Sequence, residues 1–244
     1  IIYATGNTYE GQWDNDMENG DGHICLSIGS AYEGEFKDGK MHGKGKMTYN
    51  TGNIYTGEFR NGKLEGEGVY EMSNGDRYEG SLKDGIWHGQ GIYYYASGET
   101  YDGQWKEGKK HGKGKRTYQN GDSYEGDWSE DFKNGFGTYL FKQKNEKYEG
   151  SWRENCMQGM GRYFFENGKA YDGDWEKDIP KGDGTVYDHD GSEVFTGPWS
   201  EAKELLKQAV VSKLVPNLVS TLATESHKDA VAANTNAEVK ASAQ

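Results

Sequence analysis

Little in this chain can build a thick core. Apolar side chains make up 33% of its 244 residues, below the roughly 45–50% of ordinary globular domains even though that range also counts Gly. Proline occurs only three times, and no apolar run approaches the ~18 residues a membrane-spanning helix needs. The two cysteines, Cys25 and Cys156, are too few for a disulfide framework and fit no metal-ligand spacing. They are expected to be free thiols in a reducing compartment. The chain has no charged-then-apolar leader and opens on Ile rather than Met, so the natural protein is expected to begin further upstream. Basic residues are also short: the formal charge is −12, and residues 200–244 balance five Lys against five acids. The deficit therefore lies in residues 1–199, where 23 basic side chains face 35 acidic ones. That balance disfavours long-range attraction to nucleic acid and anionic lipid, which only a local basic patch can override.

Gly (37 residues) and aromatics (14%) are abundant, and they recur in step. An aromatic followed two residues later by Gly starts at Tyr9, Tyr32, Tyr55, Tyr78, Tyr101, Tyr124, Tyr148, Tyr171 and Phe195. Six of the eight intervals are 23 residues and two are 24. A fixed period of this size defines a repeat architecture and outranks any local motif. Eight full repeats precede a truncated ninth, and Tyr3 and Gly6 match the end of a further one.

With the first aromatic as position 0, positions 0, +2 and +4 share one strand face, as do Tyr101, Gly103 and Trp105. Positions +11 to +17 resume that face, as in Gly89, Gly91, Tyr93 and Tyr95, and acids or amides fill the alternate positions. Each repeat reads as a β-hairpin with an aromatic and glycine face and a charged face. Gly at +20 (Gly52, Gly75, Gly98) marks the link between hairpins. Gly weakens a strand, so its recurrence on the aromatic face implies rings lying on bare backbone. The expected fold is all-β: an elongated, single-layer antiparallel sheet of roughly 18 strands. The sixth repeat has "KQKNEK" where +20 Gly belongs, and an altered turn is expected at 142–147.

The pattern Y-E-G-x-W/F-x-x-G-x-x-H-G-x-G resembles the MORN repeat (membrane occupation and recognition nexus) across residues 1–199. The resemblance implies a sheet that scaffolds other proteins, as a partner in a larger assembly or as a homo-oligomer. Family members with a non-repeat C-terminal extension include ciliary radial-spoke-head proteins, which points to the cytoplasm and cytoskeleton and, most specifically, a cilium or flagellum axoneme. The resemblance leaves two alternatives, a peripheral phosphoinositide-binding tether and the regulatory region of a longer enzyme.

No residue set stands out as catalytic, because every Ser, His and carboxylate pattern is repeated on a solvated face. The +10 histidines (His42, His88, His111) fall two strands apart in successive repeats, about 10 Å, too far to share an ion held at ~2 Å. They are expected in turn hydrogen bonds. Glycine runs such as "GKLEGEG" lack the strand-to-helix P-loop context. No catalytic residue, cofactor or metal is therefore expected. The densest basic run offers an anion or lipid contact through Lys109, Lys110, Lys113, Lys115 and Arg116.

Composition changes after Trp199: residues 200–244 contain no Gly and no aromatic residue. Ser200 followed by Glu201 and Glu204 predicts a capped helix over 200–222, with Pro216 kinking or ending it. Ala202, Leu205, Leu206, Ala209, Val210 and Leu214 form its apolar stripe. That stripe can cap the last strand or dock a partner. Residues 223–244 read as a low-complexity tail.

Overall fold

The structure is a computed structural model and describes residues 1–206. The expected helical continuation with Ala209, Val210 and Leu214, and the 223–244 tail, lie outside the described residues. The described chain forms two compact units, Ile1–Gly108 and the part from Lys109 onward.

The first unit is a nine-stranded meander: β1 (Thr8–Asp14), β2 (Met17–Cys25), β3 (Ala31–Lys37), β4 (Lys40–Thr48), β5 (Ile54–Arg60), β6 (Lys63–Glu71), β7 (Arg77–Lys83), β8 (Ile86–Tyr94) and β9 (Thr100–Lys106). Each strand pairs antiparallel with the next. The second unit repeats the plan with β10 (Lys109–Thr117), β11 (Ser123–Ser129), β12 (Phe132–Phe141), β13 (Glu146–Arg153), β14 (Cys156–Phe164), β15 (Ala170–Glu176), β16 (Ile179–Tyr187) and β17 (Glu193–Pro198). Helix α1 (Trp199–Leu206) follows and packs on β16 and β17. The tandem antiparallel hairpins are what the period implied, and the C-terminal helix is what the change of composition after Trp199 implied.

Local chemistry explains the hairpins. Their tips are two-residue turns with both residues left-handed, such as Asp38-Gly39 (φ 49° and 73°) and Asn61-Gly62 (52° and 82°). This is the type I′ geometry that suits strand twist and favours Asn-Gly and Asp-Gly. Four residues beyond the tip glycine, the returning strand bulges. His42, Gly43 and Lys44 oppose Glu35 alone, with Gly43 at φ 56°. The +11 glycines therefore occupy the bulge rather than the aromatic face the alternation suggested, and the extra residues restore the parity beyond it. In the sixth repeat the altered turn is present: Asn145 takes the left-handed position at φ 53°, and the Lys144 N–H donates to the Phe141 carbonyl at 3.2 Å.

Across each sheet the +2 and +13 glycines face one another in an unbroken row, for example Gly22↔Gly34, Gly34↔Gly45, Gly45↔Gly57 and Gly57↔Gly68. A methyl group at Gly34, Gly45, Gly57 or Gly68 would fall within 3.0 Å of the Tyr32 or Tyr55 side chain. The rings thus lie directly on backbone, and a one-layer sheet obtains a buried face without a second layer.

Helix α1 opens at Trp199, so Ser200 lies inside the first turn instead of capping it. Trp199 is the +4 aromatic of the ninth repeat, and its ring packs on Tyr171 at 4.8 Å. That contact and Pro198, which fits immediately before a helix because it has no N–H to leave unpaired, set the start one residue early.

Candidate interaction surfaces

The aromatic face is a ladder. Where +4 is aromatic, as everywhere but Leu82, the position-0 tyrosine packs on that ring of its own repeat or the next, and Tyr124 meets both Trp128 and Trp152, each centroid 5.2 Å away and edge-on. Tyr148 does the same with Trp152 at 5.3 Å and Trp175 at 5.2 Å. Edge-on pairs add to area burial through the ring quadrupole. Most of the polar ends are paired, the Tyr171 hydroxyl and Trp87 Nε1 being buried without a partner. Tyr55, Tyr78, Tyr124 and Tyr148 donate to the carbonyls of Glu58, Ser81, Asp127 and Ser151 at 2.9–3.1 Å. Trp128, Trp152 and Trp175 donate from Nε1 to the carbonyls of Gly114, Gly137 and Gly161 at 3.0–3.1 Å. Burial pushes the phenols of Tyr32, Tyr55, Tyr78, Tyr124 and Tyr148 well above the ordinary tyrosine range.

Two features of this face escaped the sequence reading. Carboxylates were expected only on the solvated side, yet Glu99, Asp122 and Glu146 are buried. They sit at the end of one repeat and bond to the next. Asp122 accepts from the Lys142 N–H at 2.8 Å and from the Tyr139 hydroxyl at 3.2 Å. Glu146 accepts from Tyr163 at 2.6 Å. The equivalent Asp76 accepts from Ala96 N–H and Tyr93, both at 2.7 Å. Recurrence of Ser, Asn, Asp or Glu two residues before the tyrosine (Ser30, Asn53, Asp76, Glu99, Asp122, Glu146) was the available signal. The second feature is cationic. At +9, where Leu64 and Trp87 are core residues, the second unit has Lys110 and Lys133, both buried. The Lys133 ammonium lies 4.7 Å from the Trp152 ring centre, 4.8 Å from Tyr139 and 5.7 Å from Tyr124. Ring quadrupoles stabilise a cation there.

The basic run therefore does not form one surface. Lys110 and Arg116 are 2% and 1% exposed and belong to the aromatic face. Lys109, Lys113 and Lys115 emerge on the opposite face and pair with Glu130, Asp127 and Glu125 at 2.5, 2.7 and 3.3 Å. The +10 histidines occupy the bulges. The Nδ1 atoms of His42 and His111 are buried without a hydrogen-bond partner, contrary to the expected turn bonding, while the His42 carbonyl accepts from Tyr32 at 3.2 Å. Among the described residues no group of three or more His, Cys, Asp or Glu could hold a metal ion. Of the helix stripe, Ala202 and Leu206 are buried and Leu205 is 43% exposed.

On the charged face of the first unit lies an open trough of about 940 Å³. Its glycine floor is flanked by Glu10, Asp21, Glu33, Glu58 and Glu67 against Lys44 and Lys46. No helix among the described residues is long and apolar enough to cross a membrane.

The same constellation recurs in every copy, which defines a tandem β-hairpin module that presents surfaces. The MORN repeat model matches residues 9–29, 32–54, 55–77, 78–100, 101–123, 124–145, 148–170 and 171–193. The chain belongs to the MORN-repeat family, a non-catalytic structural module that mediates protein–protein interactions. No curated protein matches the chain. Among solved structures it is similar to the TCP domain of SAS-4 (dCPAP) from Drosophila melanogaster in complex with a proline-rich motif of Ana2 (dSTIL), at 15% identity and a TM-score of 0.42, covering 62% of this chain and 82% of that one. It is also similar to the wild-type TCP10 domain of Danio rerio CPAP, at 8% identity and a TM-score of 0.41, covering 81% and 98%. Likeness at this level carries nothing about function.

Proposed function

We propose that this chain is a scaffold in a cytoskeletal assembly, in the first instance the axoneme of a cilium or flagellum, in the manner of a radial-spoke-head protein. The observation that carries the scaffold reading is repetition. Each full copy of the repeat places the same Tyr–Gly pair in the same register, whereas catalysis requires a singular constellation. A single-layer sheet also leaves its charged face open along every strand, and such area suits protein partners. The C-terminal extension beyond the repeats supports the ciliary assignment by analogy with the family. Helix α1 offers a docking edge through exposed Leu205 while Leu206 anchors it. The test is gentle purification of the tagged full-length protein from ciliated and unciliated cells of the source organism. Axonemal proteins enriched only from ciliated cells support the assignment. Recovery of a membrane-bound complex, or of a fused catalytic domain, overturns it.

A further inference from the structure

The repeat provides its own control for unusual surface residues. On the charged face of the returning strands, positions +8, +12 and +16 point to solvent. At +8 several strands carry an apolar residue (Met17, Ile86, Ile179), but at +12 the returning strands other than β12 and β14 carry only Asp21, Lys44, Glu67, Gln90, Lys113 and Asp183. On β12 the same three positions are Phe132, Phe136 and Leu140, all exposed, with Phe136 at 60%. On β14, +12 and +16 are Met160, 66% exposed, and Phe164. Nothing in the sheet requires this, because the opposite side of β12 already buries Lys133, Tyr139 and Phe141.

We infer that this face of the second unit is a contact between two copies of the chain, packed sheet against sheet. The size is right. Phe132 to Leu140, opposite Ser129 and Ser123 of β11, spans about 20 Å along β12 because of the bulge between them, and β12 lies about 10 Å from β14 at ordinary strand spacing. Small Ser151, the cross-strand partner of Phe136, lies on the intervening strand. With flanking β11 and β15, the face covers roughly 24 by 24 Å, about 580 Å² per partner and so just above the ~1,000 Å² in total that a specific contact needs. The charges fit as well. Lys147 and Arg162 pair within the face with Glu149 and Asp172, and Lys113 and Lys115 reach from adjoining β10 to Asp127 and Glu125. With Lys109 and Arg153 on the same side, six cations on β10 to β14 offset six carboxylates on β11 to β15 once Asp174 and Glu176 are included, so two such faces can approach without the repulsion that a chain of charge −12 would otherwise meet. A strongly charged partner finds no excess charge of opposite sign there to attract it. An apolar stripe ringed by internally neutralised pairs is self-complementary, which is what a two-fold contact requires. Sheets stacked about 10 Å apart bury such stripes by interdigitation.

The inference deepens the scaffold reading by naming one partner, and it can fail while other partners still bind. Sedimentation of the full-length chain, with Phe136→Asp/Met160→Asp as the test variant and Lys44→Asp as the control, decides it. The expected result is a dimer with micromolar or tighter Kd that persists in ~0.5 M salt, as an apolar contact should. The double variant should raise Kd about 100-fold or more while the control leaves it unchanged. Thermal melts of the double variant should match the parent, since both side chains are exposed, which separates lost contact from lost fold. A chain monomeric at about 100 μM, a dimer insensitive to the double substitution, or a monomer that binds vesicles or another protein through Phe136 would each overturn the inference.

Discussion

The Tyr124 ring lies across Gly126 and Gly137, and its hydroxyl donates to the Asp127 carbonyl at 2.9 Å. Those two glycines are cross-strand partners, so one side chain covers both strands of its hairpin. Tyr124→Ala should destabilise the second unit by about 3–5 kcal/mol through the cavity it leaves. Gly137→Ala should cost about 1–3 kcal/mol by overpacking. Glu125→Ala, on the exposed face, should change stability by less than about 0.5 kcal/mol. Denaturant melts giving equal losses for Tyr124→Ala and Glu125→Ala would refute the two-face architecture.

The tyrosine ladder makes an alkaline prediction. Burial raises the phenols of Tyr32, Tyr55, Tyr78, Tyr124 and Tyr148 in the folded chain, while unfolded tyrosines ionise near pH ~10. Above that pH the folded state holds more protons than the unfolded one, so the stability present below it falls as pH climbs toward the folded values. Unfolding followed by phenolate absorbance should be steep and cooperative. Gradual ionisation of all tyrosines near pH ~10 with the fold retained would contradict the ladder.

Lys133 occupies a position filled by Leu64 or Trp87 elsewhere. Lys133→Met keeps the volume and removes a buried charge, so stability should stay within about 1 kcal/mol or rise. Lys133→Ala should cost about 2–5 kcal/mol by leaving a void between Tyr139 and Trp152. Chemical denaturation of both variants checks the order; a loss for Met as large as that for Ala would show that volume alone does not replace Lys133 and would assign the ammonium an essential role.

Vesicles containing phosphoinositides should not bind at physiological salt. Lys109, Lys113 and Lys115 are each engaged by a carboxylate, and Lys110 and Arg116 are buried. Flotation is the measurement, and salt-resistant binding abolished by Lys109→Glu/Lys113→Glu would establish the tether alternative.

Leu206 is buried and Leu205 exposed on α1. Leu206→Asp should increase hydrogen exchange in β16 and β17 and leave the earlier hairpins protected, since repeats are held by their neighbours. Leu205→Asp should leave exchange unchanged and weaken only a partner docked on the helix. Unchanged exchange for Leu206→Asp would mean that α1 does not cap the sheet.

The sequence by itself determined the hairpin period, the strand faces and the ring-on-glycine packing. A 23-residue repeat with Tyr, Gly and Trp in fixed parity leaves few other arrangements. It also marked the altered turn at 142–147, because a missing glycine must be replaced by another left-handed residue, here Asn145. Only the tertiary structure decided which charges are buried. Lys110 and Lys113 belong to one basic run, but three residues apart they take opposite faces, and the tertiary fold sets Lys110 under Trp128 and Lys113 beside Asp127. Asp122 reads as a surface acid until the next hairpin supplies the Lys142 N–H and the Tyr139 hydroxyl that hold it inside. Periodicity assigns a side chain to a face; whether that face buries a charge depends on donors and rings that arrive about twenty residues later in the chain.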